Sequence, residues 1–598
     1  MIQQHLKLAT WAFVLISLAA TSKTQGEWQN SLKPDGPAAG TVELVRDGKA
    51  VRTIRIEPNA TAIEKNAAAE LQNWIEQITA VPLAITTADS GPSIRLRTDP
   101  ALGEEGYRIA IEGNDLLLTG GTRRGVMNAV FALLEEDLGC RFYTNESIRL
   151  PKSSSLTVQP VVRSFVPKLR LRDPLFMCAI DATWSLRNRT NSPSAAVTED
   201  CGGHVDYGGL FVHTEAQLLS SDRYFKDHPD YFALNTNGER YTAQLCPTHP
   251  EVIKIVTAAV LDVLKAHPDA EIVSVSKNDS GGDQICYCQR CKSIRTDEGS
   301  EIGCQLILVN AVAEAVEKKY PGALIDTLAY IETLQPPKNA RLRANVAIRL
   351  CNDSISLFAP AKDCSFGQTM VTWAKVHNRL FVWDYNTNFH HYLAPVPNVD
   401  VMASNIRFFA ENHVEGIMLQ GAYQGPGDGD EMKSWVTSKV LWDPARDDKA
   451  LVQDFLWGHY GAAAPAMAEY EELRNGLRRT YVKEMSAPPG GVNFPIEAPF
   501  IDKEFVDKAT TLFAQAKQLA TGDEPLLRRV ERAELSILYV TCSRGPEFTG
   551  PTYGADVAAF ERIARREGLQ YLTEGGANFE STLAKWKAQV PNSAPAKP

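Results

Sequence analysis

The sequence predicts an α/β protein with a (β/α)8-type, TIM-like barrel, an N-terminal α/β sandwich domain and a C-terminal helical region. Strand-like and helix-like runs alternate over residues 165–445, the pattern of repeated βα units. Several of these strands end in polar side chains, as strands do at the C-terminal face of such barrels. Residues 41–145 read as a separate α/β module, and residues 446–590 are mainly helical.

Composition and charge narrow the range of partners. The chain has 598 residues, enough for several domains, with 44% hydrophobic and 22% charged residues. A formal net charge of −10 and a pI near 5.7 argue against nucleic acid or an anionic membrane surface as the main partner. A neutral or polar ligand is more compatible with this negative net charge.

Residues 1–26 read as a secretory signal peptide. Lys7 precedes an apolar run at 11–20, and small and polar residues follow it. The run is short for a membrane-spanning helix, and no later stretch is long and apolar enough. We therefore expect a periplasmic or extracellular protein with no membrane contact after cleavage.

The N-terminal module is predicted to support the barrel. Residues 41–57 contain two short strands, and Thr61 with Glu64 forms a capping box that starts an amphipathic helix. A hairpin over 107–119 and a second helix from Thr122 follow. Its polar residues do not cluster as catalytic groups do.

The predicted barrel strands place polar groups at one mouth, because the carboxyl ends of barrel strands converge even when they lie far apart in sequence. The first strand is predicted at 168–172 and the second within 176–188. Five later strands end in amide or carboxylate side chains, namely Asn278 with Asp279, Glu332, Asn352 with Asp353, Asp384 and Gln420.

These groups fit glycoside hydrolysis, in which one carboxyl group protonates the leaving oxygen and a second group acts as nucleophile, base or orienter. Asp279, Glu332 and Asp384 are the predicted catalytic residues. Each of them alone could equally be a turn or cap residue, and their shared position at strand ends is the evidence. The predicted substrate-binding residues are Arg189, His213, Asn278, Tyr330, Trp383, Tyr385 and Gln420. No phosphate-binding loop, nucleophile elbow or H-E-x-x-H motif is present, and no cofactor is predicted.

Eleven cysteines include a cluster of Cys286, Cys288 and Cys291, with Cys304 nearby. Four thiolates could hold zinc. Disulfides are the alternative, with one cysteine paired to Cys246 or Cys201. The spacing lacks the paired C-x-x-C arrangement of strong zinc signals, and an exported protein meets an oxidising environment. The sequence therefore favours local disulfides, and no metal site is predicted.

Several ordered motifs carry a family resemblance over residues 165–445. They are HPDYFALNTNGERYTAQLCPTHPEV (228–252), NDSGGDQICYCQRC (278–291), LIDTLAYIETLQPP (324–337), VWDYNTNFHHYLAPVPN (382–398) and VLWDPARD (440–447). The chain resembles the bacterial family of the domain of unknown function 4838 and is similar to glycoside hydrolase family 163, which contains endo-acting β-N-acetylglucosaminidases. The N-terminal module resembles the non-catalytic α/β domain that precedes the barrel in β-hexosaminidases and α-glucuronidases.

The resemblance implies a barrel enzyme with a carbohydrate substrate. We expect a glycosidase acting on a β-linked, N-acetylhexosamine-containing glycan, with Asp279 or Glu332 as general acid. An α-glucuronidase-like activity is an alternative, for which Arg189 or Lys277 would bind the substrate carboxylate. Two further alternatives are a catalytically inactive carbohydrate-binding or scaffold protein and a metal-dependent hydrolase that uses the cysteine cluster.

Overall fold

A computed structural model describes residues 26–279, 285–352, 357–484 and 491–590. The predicted signal peptide lies outside the described residues except for its last position, and the predicted strand-end residue Asp353 also lies outside them. None of the helices in the described ranges is long and apolar enough to cross a membrane.

The N-terminal module is built on a six-stranded mixed sheet with the strand order β11-β6-β7-β5-β3-β4, and a three-stranded sheet β10-β1-β2 lies beside it. Its helices are α1 (Ala62–Thr79) and α2 (Gly125–Ala132), and α2 continues as a π-helical turn, Leu133–Asp137. The predicted capping box is present, since Thr61 and Glu64 exchange hydrogen bonds at the start of α1. The strands are β1 (Val42–Arg46), β2 (Lys49–Ala50), β3 (Thr53–Arg55), β4 (Ile85–Thr86), β5 (Ser93–Thr98), β6 (Tyr107–Glu112), β7 (Asp115–Gly120), β8 (Arg141–Phe142), β9 (Ile148–Arg149), β10 (Leu156–Val158) and β11 (Arg163–Phe165).

The central domain is a curled sheet of six parallel strands in the order β12-β19-β18-β17-β16-β15. Helices pack around its outer face, and the hairpin β13–β14 lies beside β15. The strands are β12 (Leu171–Asp173), β13 (Phe232–Leu234), β14 (Arg240–Leu245), β15 (Ile272–Ser274), β16 (Leu324–Ala329), β17 (Val346–Asn352), β18 (Leu380–Tyr385) and β19 (Val414–Gln420). The helices are α3 (Ala182–Arg187), α4 (Glu215–Leu218), α5 (Ser221–Tyr224), α6 (Pro250–Ala266), α7 (Gln289–Glu298), α8 (Ile302–Lys319), α9 (Ser365–Val376), α10 (Val399–Glu411) and α11 (Asp430–Trp442).

Irregular backbone completes the ring between β12 and β15. The backbone N–H of Asn191 donates to the carbonyl of Arg172 (3.3 Å), and that of Val205 donates to the carbonyl of Asn191 (3.1 Å). The N–H of Ile272 in turn donates to the carbonyl of Asp206 (3.2 Å). The TIM-like class is therefore confirmed, with six regular strands in the part of the chain that the structure describes. Residues 190–209 are rich in Ser, Gly, Asn and Pro, which disfavour a regular ladder.

The prediction of a second barrel strand within 176–188 is wrong. This stretch forms a short 3-10 helix, Met177–Ile180, and then helix α3. The Asp181 carboxylate accepts a hydrogen bond from the backbone N–H of Trp184 (2.8 Å) and caps α3. An N-cap satisfies a backbone donor that an extended conformation would leave for a neighbouring strand, so the local signal favours a helix.

Side chains alternate between the barrel interior and the helix layer along each strand. In β18, Phe381 belongs to the interior cluster, whereas Val382 packs with the surrounding helices. The same alternation directs Trp383 and Tyr385 into the barrel and Asp384 toward the helices. This register decides which polar residues at the strand ends can reach a ligand.

The C-terminal helical region packs against the barrel and shares its hydrophobic core. Two arginines of this region bind carboxylates that follow β19. Partly buried Arg532 pairs with Asp430 at the start of α11 (2.8 Å), and buried Arg474 pairs with Asp428 in the loop before it (2.8 Å). The helices are α12 (Asp448–Tyr460), α13 (Ala464–Glu484), α14 (Lys503–Leu519), α15 (Glu524–Thr549), α16 (Tyr553–Arg566) and α17 (Phe579–Ala588).

Buried ion pairs join the N-terminal module to the rest of the molecule. Glu135, on the π-helical turn, accepts from Arg189 (2.9 Å) and from Lys439 (2.7 Å). Arg141 pairs with Asp454 of α12 (2.7 Å), and both side chains are completely buried. These ion pairs therefore stabilise the contacts of the N-terminal module with both the barrel and the helical region.

Candidate active site

An aromatic pair lies at the carboxyl end of β18, facing the barrel interior. The rings of Trp383 and Tyr385 are stacked, with centroids 5.5 Å apart and an interplanar angle of 13°. The Trp383 indole Nε1–H donates to Oε1 of Gln420 at the end of β19 (2.7 Å). Three of the predicted substrate-binding residues therefore lie together at the barrel mouth.

A carboxyl group from the C-terminal region completes this side of the mouth. Gln420 Nε2 donates to Oε1 of Glu574 (2.8 Å), and the Tyr423 hydroxyl donates to the same oxygen (3.4 Å). The Glu574 side chain is exposed at the mouth, but partial desolvation of its carboxyl raises its pKa above the usual value, and these two hydrogen bonds oppose the shift. Sequence reasoning missed Glu574 because it searched for acids only at the ends of barrel strands.

Glu332 lies on the other side of the mouth, in a single 3-10 turn after β16. Its carboxylate is 3.9 Å from the ammonium of Lys277, and its side chain is 35% exposed and open to a ligand. Burial lowers the pKa of Lys277, which Glu332 partly offsets. Ile331 holds a φ of 51°, which is strained for a β-branched residue. Such strain is concentrated at functional sites, and Tyr330 lies half-buried at the same strand end.

The other predicted residues near the carboxyl end of β15 have unequal roles. The Asn278 side chain accepts from the N–H of Ala216 (2.9 Å) and donates to the carbonyl of Ala243 (2.8 Å), so it braces the backbone. His213 Nδ1 lies 2.8 Å from the carbonyl oxygen of Lys277 and fixes the same segment. Asp279 is exposed beyond the strand end. Of these three residues, Asp279 has the side chain most open to a substrate.

Asp384 does not face the mouth, which corrects its predicted catalytic role. Its carboxylate is fully buried and accepts hydrogen bonds from Asn352 (2.6 Å), Asn386 (3.3 Å) and Asn405 (3.3 Å). Asn405 belongs to α10, so the carboxylate lies between the sheet and the helix layer. Burial raises the pKa of Asp384 to about 6.

Arg189 is also absent from the mouth. It is 1% exposed, and its guanidinium binds Glu135 and Glu136 (2.9 Å each) at the interface with the N-terminal module. A buried cation that is already paired in this way cannot contact a substrate, so the predicted substrate-binding role of Arg189 is wrong.

Asp173 is a second carboxyl group that the sequence analysis missed. It ends β12 and lies in register with Met418, which is in turn in register with Trp383. It is 1% exposed, and burial raises its pKa to about 6. The predicted first strand stopped at Arg172, one residue short of Asp173. The carboxyl therefore lies inside the barrel, in the layer of Trp383.

All eleven cysteines lie within the described residues, and none forms a disulfide, contrary to the predicted local disulfides. The Sγ atoms of Cys246, Cys286, Cys288 and Cys291 instead lie within 4.8 Å of one another. This cluster lies beside β15, next to the segment that bears Lys277 and Asp279.

The curled parallel sheet, its aromatic and carboxyl-lined mouth and the N-terminal sheet module together form an architecture found in glycoside hydrolases. Residues 142–472, more than half of the chain, match the family model described as Domain of unknown function (DUF4838), and the chain belongs to this family. Residues 41–135 match the model of Glycosyl hydrolase family 20, domain 2. The predicted resemblances to the domain of unknown function 4838 and, for the N-terminal module, to the domain that precedes the barrel in β-hexosaminidases are thereby confirmed.

Solved structures with a similar fold are glycoside hydrolases. A GH115 4-O-methyl-α-glucuronidase with specificity for decorated arabinogalactans is 10% identical, with a TM-score of 0.57 over 93% of this chain and 81% of that chain. The GH20 exo-β-N-acetylglucosaminidase of Vibrio harveyi is 11% identical (TM-score 0.41, 72% and 78% covered). The GH20 β-N-acetylhexosaminidase of Streptomyces coelicolor A3(2) is 14% identical (TM-score 0.41, 75% and 96% covered). A comparison with curated proteins gave no match. The GH115 likeness establishes a shared fold.

Proposed function

We propose that this protein is a glycosidase that hydrolyses a glycosidic bond at the barrel mouth. The observation that carries the proposal is the connection of the stacked Trp383–Tyr385 pair, through Gln420, to the Glu574 carboxyl. Aromatic faces pack against the apolar face of a sugar ring. A carboxyl group with a raised pKa beside them can protonate a leaving oxygen.

The candidate catalytic carboxyl groups lie on two sides of the barrel mouth, with Glu574 on one side and Glu332 and Asp279 on the other. Glu574 is the proton donor in this proposal, because Gln420 links it to the aromatic pair and partial desolvation of the carboxyl raises its pKa. Glu332 is its partner across the mouth, where it lies 3.9 Å from the Lys277 ammonium. Asp279 follows the neighbouring strand β15 and supplies a further carboxylate on the Glu332 side. Gln420, which binds Glu574, ends β19, and β19 is three strand spacings from β16, the strand that precedes Glu332. The two sides therefore lie roughly 14 Å apart measured along the curled sheet.

A β-linked, N-acetylhexosamine-containing glycan is the proposed substrate. The match of residues 41–135 to domain 2 of glycosyl hydrolase family 20 supports this class. A uronic acid is the second candidate, because the Lys277 ammonium at the mouth could bind a substrate carboxylate. The whole-chain likeness to a 4-O-methyl-α-glucuronidase also favours it. Digestion of glycan panels that contain each class, followed by mass spectrometry of the products, separates the two.

The catalytic test compares three carboxamide variants, Glu574→Gln, Glu332→Gln and Asp279→Asn. Each keeps the side-chain shape and removes the proton or the charge, so turnover should fall by about a hundredfold or more for the true acid and its partner. Glu580→Gln is the matched control, since this exposed glutamate pairs with Arg565 at the surface. Binding of glycans without cleavage of any of them would contradict the proposal and favour a carbohydrate-binding protein.

Export from the cytoplasm is part of the proposal, based on residues 1–26. Expression of the full chain in a Gram-negative host, followed by cell fractionation and N-terminal sequencing, tests it. We expect a mature chain that begins after the apolar run. Recovery of the uncleaved chain in the cytoplasm would contradict it.

A further inference from the structure

Four cysteines from two distant parts of the chain meet beside the barrel mouth. Cys246 follows the hairpin β13–β14, whereas Cys286, Cys288 and Cys291 flank the start of α7. Three of the four side chains are almost completely buried, and Cys288 is half-buried. The fold therefore brings four sulfur atoms, which are soft metal ligands, together in a mostly buried position.

The sulfur spacing matches the coordination of a single metal ion. The Cys246 Sγ atom lies 3.8 Å from Cys288 Sγ and 3.9 Å from Cys291 Sγ, and all four sulfurs lie within 4.8 Å of one another. A tetrahedral ion with metal–sulfur bonds of about 2.3 Å places its ligands roughly 3.8 Å apart. A disulfide would instead bring two sulfurs to about 2.05 Å. The four-thiolate set with this spacing suits zinc.

Polar groups next to the cysteine sulfurs make hydrogen bonds of the kind that metal-bound thiolates accept. The backbone N–H of Leu234 donates to Cys286 Sγ (3.4 Å), and Thr248 Oγ1 lies 3.2 Å from Cys291 Sγ. Such hydrogen bonds orient thiolate ligands and spread their negative charge. Cys304 lies outside the set, because its thiol donates to the backbone carbonyl of Cys291 (3.3 Å).

We propose that Cys246, Cys286, Cys288 and Cys291 bind one structural Zn²⁺. All four positions are occupied by protein sulfurs, which leaves no open coordination site for a substrate or an activated water. The ion crosslinks the β13–β14 hairpin to α7, and between these elements runs the segment that bears Lys277 and Asp279. Its role is to hold that side of the mouth in place.

The sequence did not reveal this site because the fourth ligand is remote. The cluster C-x-C-x-x-C supplies three thiolates within six residues, but Cys246 precedes it by forty residues, and Cys304 was the nearest further candidate. The hairpin β13–β14, whose backbone pairs Phe232 with Leu245, brings Cys246 to the cluster.

Zinc content of the whole purified protein tests the proposal directly. We expect about one zinc per chain by plasma mass spectrometry when cells are grown with added zinc. Thiol alkylation under denaturing, non-reducing conditions should label all four cysteines once the metal is chelated. Two disulfides among these cysteines, or four free thiols without metal, would overturn the proposal, and iron at the same stoichiometry would overturn the assignment to zinc.

Two single variants identify the ligands. Cys288→Ser should lose most of the zinc, and Cys304→Ser, a buried neighbour outside the set, should keep it. Chelation of the wild-type protein should also lower its melting temperature and expose the segment around α7 to proteolysis. Equal zinc loss in both variants would contradict the assigned ligand set. If Cys288→Ser fails to fold, the metal and thiol content of the wild-type protein still decides the question.

Discussion

At the residue scale, the surroundings of each carboxyl group decide what it can do. Asp279 is exposed, Glu332 lies beside Lys277, and Asp384 is sealed among three amides. These residues look alike in the sequence, yet Asp384 cannot meet a ligand. Glu574, which is not on a barrel strand, has the aromatic neighbours and the raised pKa that an acid catalyst needs.

Trp383→Ala should weaken substrate binding more than it slows the chemical step. The substitution removes the stacking face but leaves the carboxyl groups in place, so KM should rise by about tenfold or more while kcat changes less. Stacked aromatic contacts contribute on the order of 1 kcal/mol beyond area burial. Trp383→Phe is the matched control, since it keeps a smaller aromatic face while losing the hydrogen bond to Gln420. A fall in kcat with unchanged KM would contradict this role.

Tyr423→Phe should shift the pH dependence of kcat. The Tyr423 hydroxyl donates to Glu574 and lowers the pKa of that carboxyl, so its removal raises the pKa. A general acid is active while it is protonated. Activity is therefore lost at a higher pH in the variant, and the alkaline limb should move up by a fraction of a pH unit. Tyr571→Phe is the control, since Tyr571 packs in the same cluster as Tyr385, whereas the hydroxyl that donates to Glu574 is that of Tyr423. A shift to lower pH in Tyr423→Phe would refute the assignment of Glu574.

At the element scale, the register of β18 separates the binding residues from the structural ones. Two aromatic side chains point into the barrel, and the aspartate between them points to α10. The sequence LFVWDY does not show this alternation, because strands of a parallel sheet are buried on both faces and are apolar on both. The sequence therefore lacks the alternation of apolar and polar residues that would have shown that Trp383 and Asp384 lie on opposite faces of the strand.

Asp384→Asn should reduce stability and leave the chemistry nearly unchanged. An asparagine places an amide donor among the amide donors of Asn352, Asn386 and Asn405, at a cost of about 1–3 kcal/mol. The folded pKa of about 6 exceeds the ordinary 3.8, so the native state binds the proton more tightly. Wild-type stability should then decrease as pH rises from about 4 to 6.

The asparagine variant lacks this proton linkage, so its deficit relative to the wild type should narrow above pH 6. Denaturant unfolding at pH 4.5 and pH 7.5, combined with kcat/KM measurements, checks both statements. Asn398→Asp is a comparison for a charge added nearby, because the buried Asn398 precedes α10 and donates to the carbonyl of Asn386 (3.3 Å). A hundredfold loss of kcat in Asp384→Asn at full stability would restore Asp384 as a catalytic candidate.

At the scale of the whole molecule, buried charges connect three parts that are far apart in the chain. Arg141 of the N-terminal module donates to Asp454 of α12, and the same carboxylate accepts from the Ser31 hydroxyl (2.7 Å) and the Tyr143 hydroxyl (2.6 Å). Glu574, from the end of the helical region, reaches the barrel mouth. The helical region is therefore part of the site as well as its support.

Arg141→Met should strongly destabilise the protein, because it leaves the Asp454 carboxylate buried without its cation. Both side chains have no exposed surface, and breaking such a pair costs about 3–5 kcal/mol. The double variant Arg141→Met/Asp454→Leu should recover part of the loss, since it removes the orphaned charge. Thermal unfolding measures both. A single variant as stable as the wild type would show that the interface does not depend on this pair.

The sequence by itself determined the fold class, the capping box of α1, the aromatic residues at the end of β18 and the family. These features depend on local patterns: hydrophobic runs, turn residues and short motifs that neighbouring residues already specify. Strand ends could be placed from such patterns, so the positions of Glu332 after β16 and of Gln420 at the end of β19 were predicted.

Only the tertiary structure decided which of these groups share a site. It turned Asp384 toward α10 and buried Arg189 against Glu135. It also brought Glu574 to Gln420 and Cys246 to the cysteine cluster. Each of these outcomes depends on contacts between residues far apart in the chain, or on which face of a two-sided buried strand a side chain occupies. Packing of whole elements sets both, and no local pattern in the sequence records them.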